Sequence, residues 1–317
     1  MTTIDLVQAY IAAKRAQGSK LKSAQGVLCH FARETGNIPL ADVTPSAVAA
    51  FLRGRGVLSA TWTTKYATLA GLYRFAIARG HVAVSALPPE RPKLPPPITP
   101  YVYSHDELQR LLDATDMLES PFSRLQARTY RTLLLLLYGA GLRVSEAIDL
   151  TLADVDLRER VLVVRGTKFY KSRIVPIGHQ LADLLRLYIE QRGTLPMPLG
   201  SQSALLASRS GRRQTYQRVI TLFQKVRARA GIAVPPGASR PPRLHDLRHT
   251  AAVHRLVAWY QQGKNVQQLL PQLATYLGHV GIDSTRRYLQ MTPELLLQAS
   301  SRFAAYAGME AEEAHHA

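Results

Sequence analysis

The sequence predicts a mainly α-helical protein with one small antiparallel β-sheet, built as two domains. Three observations predict this. Apolar residues recur at the three-to-four spacing of a helix face along most of the 317 residues. Just two short runs rich in β-branched residues, Val161–Val164 and Ile174–Ile177, read as strands. One stretch, 87–100, holds seven prolines in fourteen residues and can continue neither a helix nor a strand ladder.

Four short helices precede that stretch. Ile4, Val7, Tyr10 and Ile11 line one face of the first, which stops near Gly18. The second follows Ser19 and ends at Gly36. Thr44 before Pro45 reads as an N-cap followed by proline at the first helical position, with Val48, Phe51 and Leu52 inside. The fourth runs from about Ser59 through Leu69, Leu72, Tyr73 and Ala76 to Gly80. Residues 1–87 thus read as a small helical bundle, 88–100 as a stiff extended linker, and 101–317 as a second domain.

In the second domain, Ser104 and Glu107 have capping-box spacing ahead of Leu108, Leu111 and Leu112. A helix over Leu125–Tyr138 breaks at Gly139-Ala140-Gly141. The two strands flank a polar turn, Gly166–Arg173, and helices follow over 181–191, 215–230, 246–260, 266–277 and 293–305. The tail from Glu310 to Ala317 is expected to be disordered.

Composition limits what such a chain does. A hydrophobic content of 46% supplies ample core and excludes a disordered or fibrous chain. No run approaches the ~18 apolar residues of a membrane span, and the N-terminus lacks a signal-like apolar stretch. The single cysteine, Cys29, excludes an intrachain disulfide and a thiolate metal cluster. The expectation is a soluble, cytoplasmic, nucleoid-associated protein without a membrane partner. Its 40 Lys plus Arg against 22 Asp plus Glu give a formal charge of +18, which favours a polyanionic partner. Residues 1–93 hold 12 basic and 4 acidic residues and 94–317 hold 28 and 18, so the charge is spread over both parts.

Four segments place cations, imidazoles and a tyrosine at helix ends or turns. Arg143 follows the glycine turn, with Glu146 one turn on to hold it. Lys168, Lys171 and Arg173 sit on the turn between the strands. His245, Arg248 and His249 fall on one helix face within Leu244-His245-Asp246-Leu247-Arg248-His249. His279 follows a helix-ending Gly278, and Tyr288 comes nine residues later, past an Asp283/Ser284 cap. Taken singly, each has an ordinary reading: a surface arginine, a solvated turn, a structural histidine pair, a packed tyrosine. His245 and His249 also have metal-ligand spacing, but Asp246 replaces the glutamate of the zinc motif and Arg248 between them would repel a divalent ion. Together the segments hold what breaking a phosphodiester without metal requires. Fixed cations stabilise charge growing on the non-bridging oxygens, a phenol attacks, and an acid protonates the departing sugar oxygen.

These residues resemble the tyrosine recombinase (phage integrase) family. Carrying it are Gly141-Leu142-Arg143-Val144-Ser145-Glu146, His245-x-Leu247-Arg248-His249, and Leu277-Gly278-His279 with Tyr288 beyond. The resemblance covers the whole chain. It implies an N-terminal SAM-like helical core-binding domain, a linker and a catalytic domain that together close on opposite sides of a duplex. It implies that Arg143 and Arg248 clamp the scissile phosphate and that Lys168 protonates the 5′-oxygen. His245 would assist proton transfer, His279 would bond a non-bridging oxygen, Tyr288 would be the nucleophile, and Glu146 would orient the arginine. Phe169-Tyr170 stand where Xer-like relatives have small residues, which leaves Lys171 a rival for Lys168 and leans towards a mobile-element integrase. No metal or other cofactor is implied. The implied partners are double-stranded DNA bearing a specific site and a homotetramer on two duplexes, with the last helix, near Pro293–Ala305, either docking on a neighbour or packing at home. Chromosome-dimer resolution and a type IB topoisomerase are the rival activities, with a silent DNA-binding regulator a third. A metal-dependent nuclease or transposase would need clustered carboxylates, and apart from Glu146 the segments offer only Asp246 and Asp283.

Overall fold

The computed structural model describes residues 1–19, 21–95, 99–119, 126–166, 172–195, 197–208, 210–238, 240–279 and 285. The chain divides into two compact units, Met1–Ile98 and Thr99–Ala317, so the division falls inside the proline-rich stretch.

Unit 1 is a helical bundle of α1 (Thr3–Ala16), α2 (Lys22–Glu34), α3 (Pro45–Arg53) and α4 (Ala60–Ala78). Local chemistry starts these helices. Thr2 and Asp5 form a reciprocal capping box, and Thr44 accepts from the Ala47 N–H ahead of Pro45. Leu6, Val7, Leu28, Phe31, Phe51, Leu69, Leu72 and Tyr73 close one core, which Leu87 and Leu94 also join. The Tyr66 hydroxyl donates to the Pro88 carbonyl (3.4 Å), and Arg91 lies 4.7 Å over the Tyr66 ring. The start of the stretch expected to be a stiff extended linker packs on α4, because its leucines and arginine stem have apolar surface to cover.

Unit 2 begins with α5 (His105–Asp113), opened by the Ser104–Glu107 capping box, and α6 (Gln126–Gly139). The short helix α7 (Val144–Asp149) follows the glycine turn. A three-stranded antiparallel sheet comes next, in the order β1 (Val155–Asp156), β2 (Val161–Val164), β3 (Arg173–Pro176). Its first strand was not expected, since two residues leave no period to read. The last strand starts one residue earlier than the apolar run, with Arg173 opposite Val164 and Val175 opposite Leu162. Arg173 consequently shares the inward face with Val175, while Ile174 faces out and is exposed. Helices α8 (His179–Gly193), α9 (Tyr216–Arg229), α10 (Asp246–Gln261) and α11 (Val266–Leu277) complete the described elements. The expected helix over 293–305 and the tail after it lie outside the described residues. No helix among the described residues is long and apolar enough to cross a membrane.

Two apolar clusters position the site. One joins α5 to α9 and the sheet through Leu133, Leu136, Leu162, Val175, Phe223 and Leu247. The other packs α10 on α11 through Leu256, Leu270, Leu273 and Leu277. The N-terminus of α10 is tied down by Thr250, whose hydroxyl accepts from the Tyr103 N–H (3.0 Å) and donates to the Asp246 carbonyl (2.8 Å).

Candidate active site

The start of α7, the start of α10, the end of α11 and the start of β3 meet around one carboxylate. Glu146 is 8% exposed. Its Oε1 accepts from Arg143 Nη1 (2.6 Å) and Arg173 Nη1 (2.9 Å). Its Oε2 accepts from the Arg143 backbone N–H (2.9 Å) and Arg173 Nη2 (2.7 Å), and lies 3.8 Å from Arg248 Nη1. Burial by itself would raise the carboxyl, but the bonds from Arg173 and Arg143 outweigh it and hold the pKa at about 2. Glu146 is ionised at any working pH.

Each guanidinium is held a second time by main chain. Arg248, 2% exposed, donates to the carbonyls of Gly141 and Leu277. It thereby fastens the α6–α7 turn to the end of α11. Arg143 Nη2 donates to the Gly278 carbonyl (2.9 Å), and Arg173 Nε to that of Tyr276 (3.2 Å). Arg143 is the most open of the three, with 36% of its side chain exposed against 13% for Arg173.

Gly278 closes α11 in the left-handed region (φ 66°), where a side chain is strained. A Cβ there would also stand 2.8 Å from Arg173 Nη1. The turn delivers His279, whose Nδ1 lies 2.7 Å from the hydroxyl of the fully buried Thr285. Burial, and then the charges of Arg248, Arg143 and Arg173, lower the His279 pKa to about 4, so the ring is neutral near pH 7. His245 stands at the N-cap position of α10 without a side-chain capping bond, its ring edge-on to His249 at 4.8 Å. Burial and Arg248 lower its pKa, and burial together with the neighbouring His245 lowers that of His249 to about 3. Asp246, beside them, is buried and paired with Arg243 (2.7 Å), which leaves it a structural carboxylate. Among the described residues no three His, Cys, Asp or Glu side chains converge to hold a metal.

The structure therefore brings Arg143, Glu146, Arg248 and His279 together, with His245 at the head of the helix that carries Arg248. Lys168, its rival Lys171, and Tyr288 lie outside the described residues. Two other tyrosines lie close by. The Tyr276 hydroxyl donates to the Pro176 carbonyl (3.2 Å) and burial raises its pKa, as burial also does for Tyr138. The sequence reading used Arg173 as a landmark beside the lysines and missed that it shares Glu146. Its inward phase with Val175 is set by the pairing register of β3, which the short apolar run alone does not specify.

Unit 2 is thus a mainly helical unit with a three-stranded antiparallel sheet, in which three guanidiniums gather on one buried glutamate. Comparison with known proteins identifies the class. The pattern of the phage integrase family matches residues 102–294. A curated protein of Sinorhizobium fredii whose name describes an integrase/recombinase is 37% identical over 305 residues, covering 93% of this chain and 95% of its own. The tyrosine recombinase XerA of Thermococcus kodakarensis is 33% identical over 230 residues, 71% of each chain. Among solved structures, a lambda integrase dimer bound to a COC′ core site has a TM-score of 0.64 at 20% identity, covering 89% of this chain and 96% of that one. A Tn1549 transposon integrase in complex with a circular intermediate DNA has a TM-score of 0.66 at 18% identity, covering 96% and 100%. At such identities the structural likeness speaks to the fold. The chain belongs to the phage integrase family, the tyrosine recombinases.

Proposed function

We propose that this protein cuts and rejoins DNA at specific sites through a 3′-phosphotyrosyl intermediate, in the service of a mobile genetic element. The observation that carries the reading is the pair Arg143 and Arg248, fixed beside His279 and outnumbering the one carboxylate between them. In this reading the two guanidiniums take the non-bridging oxygens of the scissile phosphate, whose charge grows as attack proceeds. A neutral His279 that accepts from Thr285 at Nδ1 carries its proton on Nε2, the tautomer that donates to the same phosphate. Tyr288 supplies the nucleophile. Its phenol oxygen bonds to phosphorus, its proton passes to the His245 side of the site, and the bond from phosphorus to the 5′-oxygen breaks. Lys168 gives that oxygen a proton, so a free 5′-hydroxyl results. A 5′-hydroxyl from a second duplex reverses the step and yields a Holliday junction. Ester energy is conserved in the tyrosyl link, so neither nucleotide hydrolysis nor a metal drives the exchange.

Residues 1–87 would serve as the core-binding domain, 88–100 as linker and 101–317 as catalytic domain, four copies acting on two duplexes in the cytoplasm at the nucleoid. The mobile-element assignment is supported by the integrase/recombinase relatives, which match along nearly the whole chain at 37% and 34% identity. The Xer relative matches over less of it.

The test uses nicked duplexes with a randomised ~30 bp core, from which covalent complexes are captured after detergent denaturation and the DNA sequenced. The intact chain should select one site and form an adduct with it in excess EDTA, and Tyr288→Phe should form none. An adduct that survives in Tyr288→Phe and disappears in Tyr276→Phe or Tyr260→Phe would overturn the assignment. Strand exchange between two selected sites separates recombination from mere relaxation.

A further inference from the structure

We propose that Arg173 is a positioning residue of this reaction centre: it takes up the charge of Glu146 so that Arg143 and Arg248 face a phosphate as full cations. The inference rests on the recombination reading of the same site. Without Arg173, a buried carboxylate would stand 2.6 Å from one clamp guanidinium and 3.8 Å from the other. At 8% exposure its field is weakly screened and would oppose an incoming phosphate. Arg173 covers both oxygens with a two-pronged fork, at 2.9 and 2.7 Å. Three guanidiniums then share one negative charge, which leaves the site positive.

The geometry fixes this arrangement from two further directions. Arg173 is the first residue of β3 and points inward in phase with Val175, so its backbone is set by the sheet register. Its Nε is anchored on the Tyr276 carbonyl, and its guanidinium fills the place where a Gly278 side chain would project. The same guanidinium thus borders the turn that delivers His279 and holds the glutamate that holds Arg143. A lysine here carries one compact ammonium and reproduces neither the fork nor the third bond.

The test compares Arg173→Met, Arg173→Lys, Glu146→Gln and the double variant Arg173→Met/Glu146→Gln. Each full chain is assayed on the nicked duplex selected above, at saturating DNA, with thermal unfolding recorded alongside. Arg173→Met should slow adduct formation about 10²-fold, the cost of a misplaced reacting geometry. Neutralising the glutamate should then repair the defect: the double variant should run at least about tenfold faster than Arg173→Met alone at saturating DNA, without a matching recovery of the unfolding temperature, a split that a merely structural pair does not show. Should Arg173→Met unfold, Arg173→Lys carries the test, with a smaller loss and the same repair by Glu146→Gln. The proposal is overturned if Arg173→Met reacts at the parental rate, or if the double variant loses the product of the two single losses. An unsubstituted chain that forms no adduct on any duplex overturns the recombination reading itself, an outcome distinct from a reactive parent whose Arg173 variants behave independently of Glu146.

Discussion

The two units carry similar net charge and use it in opposite ways. In unit 1 the basic side chain nearest a carboxylate among the described residues is His30, whose Nε2 lies 3.4 Å from Glu34 Oε2. Several cations there touch neutral partners: Arg15 donates to Gln25, Lys65 to the Phe51 carbonyl, and Arg79 lies over the Phe75 ring. In unit 2 the cations of the site are fastened to a carboxylate and to helix-end carbonyls. Unpaired surface cations create a field that attracts a polyanion without prescribing its position, and salt screens it. Pinned guanidiniums gain geometry and lose freedom, which is what a transition state requires. If unit 1 recruits the polyanion and the pinned cations of unit 2 do the chemistry, the two are separable, and each prediction below strikes one and spares the other.

The largest effect should come from Arg248→Ala. It removes a buried guanidinium from two carbonyls and leaves Glu146 with one partner fewer. Breaking such a buried network costs about 3–5 kcal/mol. Calorimetry should show the transition of unit 2 falling by several degrees while that of unit 1 stays in place, and adduct formation should drop by about 10³. Equal shifts in both transitions would show that the units are energetically one body and would break the comparison.

Acid should separate the units next. His249 and His279 are neutral in the fold, with pKa values of about 3 and 4 against an ordinary 6.5. A base whose folded pKa is depressed costs stability when it must be charged. The unfolded chain binds protons first, so the stability of unit 2 should decline as pH falls from about 6.5 towards 4. Glu146 adds a second decline between its ordinary 4.5 and about 2. The groups of unit 1 displaced by burial are the tyrosines Tyr10 and Tyr73, which titrate at alkaline pH. A melting profile from pH 7 to 4 should therefore lower the unit 2 transition selectively, and His279→Gln should flatten part of that slope.

Gly278→Ala sharpens the same contrast at smaller cost. The left-handed backbone alone costs about 1 kcal/mol, and the new methyl meets the Arg173 guanidinium, which must shift. The expected outcome is a loss of about 1–2 kcal/mol and a roughly tenfold slower adduct, with DNA affinity unchanged. Tenfold slower chemistry from a glycine that makes no side-chain contact would mark the α11 turn as the part that sets His279 and Arg143 in register.

Much of this was legible in the sequence, for identifiable reasons. The helices of unit 1 and α5 announce themselves through caps and spacing: Thr44-Pro45 and Ser104-x-x-Glu107 act within one turn of chain, so no tertiary information is needed. The gathering of Arg143, Arg248 and His279 was legible only by family resemblance, because residues 105 and 31 positions apart meet through folding. Arg173 and the anchoring of Leu94 were missed because each depends on register or on a distant face. A one-residue shift of β3 would have turned Arg173 outward and Ile174 inward, and an apolar run of four does not say which phase is correct.

The smallest effect on stability should come from unit 1, where the comparison predicts the largest dependence on salt. Lys14, Arg74 and Arg79 line a cleft of about 390 Å³ between α1 and α4, floored by Tyr10 and Phe75. Their side chains reach neutral groups, Lys14 to Gln17 and Arg74 to the Ala70 carbonyl, so replacing all three with glutamine breaks no ion pair. Each change should move the melting free energy by less than about 0.5 kcal/mol. If the unit recruits duplex through phosphates, however, each lost contact should flatten the dependence of log K on log salt by about 0.9. Binding of the selected duplex by the triple variant should thus weaken most at low salt and converge with the parent as salt rises. The rate of adduct formation at saturating DNA should remain parental, since nothing pinned to Glu146 has been touched. A triple variant with unchanged salt slope would remove this cleft from the DNA path, and one with slowed chemistry at saturation would show that recruitment and catalysis are coupled after all.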